Sequence, residues 1–250
     1  MMRTSNPVLS EKAFQRAGST YYEGADTMTV QGTGVKTGIL LLLAVVSAAF
    51  AWTQSANPAA QAMLVPMVFG GLIVALIAAL VGFFKPTAAP YAGPIYAVAE
   101  GLVLGFISQL VNSIYPGIAF QAVCLTFGTL FSLLIAYQSG WIRVTEKFRA
   151  GVFAATGAIF LIYLIGFIMS FFGAGIPYIH EAGVIGIGFS LFVVAIAALN
   201  LVLDFDFIDR GAQAGAPKYM EWYGALGLMV TLVWLYIEIL HLLMKLQNRD

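Results

Sequence analysis

Residues 64–84 read LVPMVFGGLIVALIAALVGFF, a stretch without one charged side chain. A hydrocarbon core about 30 Å thick is crossed by roughly 20 apolar residues in a helix, so this segment alone is long enough to span a membrane. Working outward in both directions, six further apolar runs of similar character fall near 38–53, 92–114, 118–137, 151–172, 183–203 and 222–244. Seven spans in 250 residues leave no room for a separate soluble domain. The expected fold is all-α: a polytopic bundle of seven transmembrane helices, with an arm over 1–36 and one membrane domain over 37–250.

Composition agrees. The chain is 60% hydrophobic and 10% charged, against about 25% charged in a typical soluble domain. Twenty-six glycines suit helices that approach closely in lipid, where small residues let backbones touch. The formal net charge is zero, which gives no electrostatic case for nucleic acid or for acidic partners. The lone cysteine, Cys124, lies inside the fourth span and has no intramolecular disulfide partner. The first 36 residues are polar and lack an apolar core ahead of span one, so span one is expected to act as the internal insertion signal.

Basic residues orient the bundle. Arg3, Lys12, Arg16 and Lys36 precede span one, Lys85 follows span two, Arg143, Lys147 and Arg149 follow span four, and Arg210 and Lys218 follow span six. These segments alternate onto one side and hold ten of the twelve lysines and arginines, while 54–63, 115–117 and 173–182 hold none. The positive-inside rule therefore puts the N-terminus in the cytoplasm. Seven crossings put the C-terminus outside, with Lys245 and Arg249 beside it.

Several links are legible. Tyr115-Pro116-Gly117 is little more than a turn, because proline fixes φ and glycine permits a tight reversal. So short a connection makes spans three and four an antiparallel hairpin. In QSGWIRVTEKFRA (138–150), Thr145 before Glu146 is an N-cap candidate and Trp141 an interface anchor. The segment 204–221, DFDFIDRGAQAGAPKYME, is expected as a charged loop, its glycines and proline opposing a continuous helix. No internal repeat of the inverted-transporter kind is evident.

Ionisable groups inside hydrocarbon cost several kcal/mol, roughly 2.5–3.5 for Asp on insertion scales, so each needs a partner or a task. Glu100 sits in AVAEGLVLGF, where Gly101 and Gly105 form a small-residue face for a helix crossing. It is a candidate proton or cation ligand, or else a protonated carboxyl bonded to a neighbouring helix. Glu238 and His241 lie three apart on one face of the last span. Di-iron bundles use such Glu-x-x-His pairs, but in two copies with added carboxylates, so a Glu–His contact is expected here rather than a metal. Asp204, Asp206 and Asp209 lack the central glycine and the twelfth-position glutamate of a calcium-binding EF-hand. Phe205 and Phe207 between them point to burial rather than to a hydrated loop. No zinc-protease, phosphate-loop or nucleophile-elbow motif occurs, so neither enzymatic activity nor a cofactor is expected.

The runs AVAEGLVLGFIS, YQSGWIRVTEKFRAGV and NLVLDFDFIDRGAQAGAPKYMEWYGALGLMVTLVWLYIEIL, with the opening MRTSNPVL, resemble the Bax inhibitor family in its bacterial YccA-like branch. The likeness covers essentially the whole chain. It implies a seven-helix protein of the bacterial inner membrane with its N-terminus inside, acting as a pH-sensitive calcium leak gated by protonation of carboxylates. In such relatives an aspartate ending span six pairs with one in span seven. Asp204 matches the first position, with Asp206 the close alternative, and the pair would meet calcium only transiently. Thr231 stands where the second aspartate would be, and span two lacks the arginine those relatives carry. A surviving carboxyl pair would take its second member from Glu100, Glu221 or Glu238. The resemblance also implies a competing class, a non-transporting membrane regulator of, for example, a membrane protease. The partners implied are the lipid bilayer, calcium ions, protons and, for the regulator class, another membrane protein.

Overall fold

In lipid no water is present to satisfy backbone N–H and C=O groups, so a crossing chain must bond them internally as helix. The computed structural model describes residues 27–173 and 183–248, and seven of its helices are long and apolar enough to cross a membrane. They are α1 (Val30–Ser55), α2 (Pro58–Phe84), α3 (Ala89–Ile114), α4 (Ile118–Gln138), α5 (Glu146–Ser170), α6 (Val184–Gln213) and α7 (Met220–Gln247), with one 3₁₀ turn at Pro86–Ala88. The all-α, seven-span expectation stands. Arg3, Lys12, Arg16 and Arg249, most of the arm, and most of the 173–182 link lie outside the described residues.

Local chemistry sets the ends. Thr29 caps α1, its hydroxyl accepting from Gly32 N at 2.9 Å, so the helix begins eight residues ahead of the apolar run at Gly38. Thr145 caps α5 as expected, accepting from Phe148 N at 3.2 Å. Gly117, at φ 87°, takes the left-handed conformation at the N-cap of α4. The link 54–63 contracts to Ala56 and Asn57, because α2 starts at Pro58, where a first-turn proline gives up no bond.

The largest correction concerns 204–221. Its first ten residues continue α6, and the loop is only 214–219. Asp206 pairs with Arg210 at 3.0 Å and Asp209 accepts from Gln213 at 2.9 Å, both at the i,i+4 spacing that supports a helix. The glycine that ends it is Gly215, at φ 67°.

The helices fall into two compact groupings. Residues 27–116 with 204–230 form one, and 117–173, 183–203 and 231–248 the other. In the first, α3 crosses α1 closely at the expected glycines. A Cβ on Gly101 would lie 2.9 Å from Ala44 Cα, and one on Gly105 would lie 2.7 Å from Ala48 Cα. Ala51, Leu64, Val68 and Val103 pack together beside that crossing. In the second grouping Ile159, Val193 and Ile196 form a core bordered by Tyr163 and Trp234, and Asn200 Nδ2 donates to Thr156 Oγ1 at 2.9 Å.

Candidate functional site

Because D-F-D-F-I-D is helical, its acids do not point one way. Residues two apart on a helix face different sides, so Asp204 and Asp206 are not brought together on one face. Asp204 is 0% exposed in the interior of α6, while Asp206, 9% exposed, turns to Arg210. Asp209 lies further toward the helix end with Gln213. Among the described residues no group of three or more His, Cys, Asp or Glu side chains is placed to hold a metal ion.

Glu221, in the first turn of α7, is 0% exposed. Its Oε1 accepts from Thr29 N and from Thr29 Oγ1, each at 2.9 Å, and Lys218 Nζ approaches the same oxygen at 3.3 Å. Its Oε2 is ion-paired with Lys36 Nζ. Lys36 also lies 5.8 Å from the centre of the Trp222 ring. The carboxylate thus sits at the positive ends of two helices, α1 and its own. Gly32 makes room for it: a Cβ there would lie 2.6 Å from Glu221 Oε2. Burial pushes the phenol of Tyr219, two residues earlier, up from its ordinary value.

The chain on either side is stitched to the same place. Met28 N donates to Ala216 O at 2.7 Å, and Thr27 bridges to Pro217 in antiparallel fashion. Residues 27–29 therefore belong to the fold of this site.

Glu100, 8% exposed in α3, lies one residue before the Gly101 crossing and one turn after the buried Tyr96. Glu238 belongs to the second grouping and is 3% exposed. Its Oε1 accepts from Tyr163 Oη at 2.9 Å and from Trp234 Nε1 at 3.2 Å. His241, one turn on, is exposed. Lys245 Nζ reaches α6, donating to Ser190 Oγ at 2.8 Å and Gly186 O at 3.2 Å. Thr231 is buried in α7.

Sequence reasoning singled out Glu221 and Glu238 but missed Thr29, Gly32, Lys36 and Tyr163 as their surroundings. Lys36 reads as a topology charge at a helix start, and nothing near it announces a carboxylate 185 residues away. Tyr163 reads as one aromatic among many in an apolar span. Gly32 carries no local signal, since no turn or positive φ requires it.

A seven-helix membrane protein with carboxylates buried at named places in two helix groupings is the class these features define. The family model described as Bax inhibitor 1 like matches residues 6–248, and the chain belongs to that family. No curated protein and no solved structure gives a significant match.

Proposed function

We propose that this protein is a pH-sensitive cation leak with Asp204 as its protonation switch, calcium being the ion that the family resemblance implies. The observation that carries this is a fully buried aspartate in the interior of a membrane-spanning helix. An ionised carboxylate is expensive there, so its protonation state and the helix packing around it are coupled. Protonated, the carboxyl shares its hydrogen with a neighbouring acceptor and holds the helices together. Deprotonated, it adds charge, favours separation and draws cations. The leak accordingly rises with pH. Asp206, already paired with Arg210, takes a secondary part. The protein acts in a bacterial inner membrane with its N-terminus inside.

Calcium influx into liposomes holding the purified protein, followed from mildly acidic to mildly alkaline pH, tests this. The wild type is expected to leak more as pH rises. Asp204→Asn, permanently neutral, should remain low and flat, and Asp206→Asn should keep a pH response. A response unchanged in both variants would sink the switch. Absence of flux at every pH, with folding and insertion verified, would favour a non-transporting regulator.

A further inference from the structure

Glu221 closes more than a helix end. One turn further along α7, Gly224 sits where α1 and α6 converge, since a Cβ there would lie 3.1 Å from both Thr33 Cγ2 and Ile208 Cγ1. Beside it the buried Tyr223 places its ring against Phe207, with 6.2 Å between centroids. Ile208 is four residues beyond Asp204 and shares its helix face. A continuous route therefore runs from Thr29 and Lys36 on α1, through Glu221 and its neighbours on α7, to the turn of α6 that carries Asp204. Both α6 and α7 are unbroken helix along it, so displacement at one end is passed on rather than absorbed.

We propose that Glu221 is a positioning residue: paired with Lys36, it latches the start of α7 to the start of α1 and so clamps the Asp204–Ile208 turn of α6 in the closed arrangement. This rests on the leak reading above. Asp204 carries the proton, and the clasp sets how strongly the closed state is favoured. Coupling of this kind changes an equilibrium by roughly 5- to 150-fold.

The test uses the full chain in liposomes with Lys36→Met, Glu221→Gln and Gly32→Ala. Two quantities are read: calcium flux against pH, and amide hydrogen exchange over 27–36 and 204–213. Gly32→Ala changes no charge and improves the intrinsic helix propensity of α1, yet its methyl displaces the Glu221 carboxylate. A purely structural part for α1 would leave its flux profile alone, whereas a latch would not. All three variants are expected to leak at least fivefold more than wild type at acidic pH, with faster exchange in both segments. Faster exchange confined to 27–36, with 204–213 protected as in wild type, overturns the proposal. So does an unmoved flux profile in a folded Gly32→Ala protein whose wild type leaks. If the wild type carries no flux, the leak reading alone falls. Exchange spreading to 204–213 then still supports the clamp, and its confinement still refutes it. Should Lys36→Met or Glu221→Gln fail to fold, Gly32→Ala decides by the same readouts.

Discussion

Glu238 shows at the scale of one residue how a carboxylate is kept in a membrane-spanning helix. Its Oε1 receives a phenol and an indole N–H, one from α5 and one from its own helix. Hydrogen bonds between transmembrane helices average well under 2 kcal/mol, because the alternatives in lipid also find partners. Tyr163→Phe is therefore expected to lower stability by about 1 kcal/mol. A double-mutant cycle with Glu238→Leu, which removes the acceptor, read by thermal unfolding in detergent, should recover most of that loss as coupling. If Tyr163→Phe costs the same with and without Glu238, the contact contributes nothing of its own. Asp204 and Asp206 differ at the same scale: Asp204 is fully buried, and Asp206 is ion-paired with Arg210 one turn away.

The α1–α3 crossing carries the firmest prediction at the scale of elements. Gly101 and Gly105 bring α3 onto the backbone of Ala44 and Ala48, leaving no volume for a side chain. Gly105→Leu must push the helices apart or leave the rotamer wells, and overpacking of this kind costs typically about 1–3 kcal/mol. A lowered unfolding temperature relative to Gly128→Leu, at a position with open space around its Cα, is the check. Both glycines of the crossing stand out in the sequence because small residues four apart have one dominant use in lipid. The link after α6 was less legible. A helix that leaves the apolar register for D-F-D-F-I-D looks finished, yet with the Asp206–Arg210 and Asp209–Gln213 contacts it runs on to Gln213. Gly215→Ala, at a positive φ, is expected to cost roughly 1–2 kcal/mol by forcing a Cβ into the left-handed region.

For the whole molecule, the helices meet lipid through apolar side chains such as Leu42, Phe69, Phe120 and Phe160, all of them exposed. The basic residues predict the orientation of this apolar body. With Cys124 replaced by serine, Ser139→Cys should react with a membrane-impermeant maleimide only from the cytoplasmic face, and Asn57→Cys only from the opposite face. Reversed labelling would invert the topology, and with it the side from which the Glu221 clasp is reached. A truncation meant to remove only the arm must stop before Thr27, because residues 27–29 are bonded to 216–221 and their loss would disturb the bundle itself.

The amino-acid sequence by itself determined that this chain crosses a membrane seven times as helix, where small residues allow a close crossing, and which acids lie in apolar surroundings. Each of these is written in contiguous residues: span length, glycine spacing, a Pro-Gly turn, a threonine cap. Tertiary structure alone decided what those acids touch. Glu221 meets Lys36 across 185 positions, Glu238 meets Tyr163 across 75, and Gly32 matters because a carboxylate from the far end of the chain fills its space. A hydrophobic run needs only a solvent to act on it. A buried charge needs a particular partner, and which one arrives is settled by how distant helices pack.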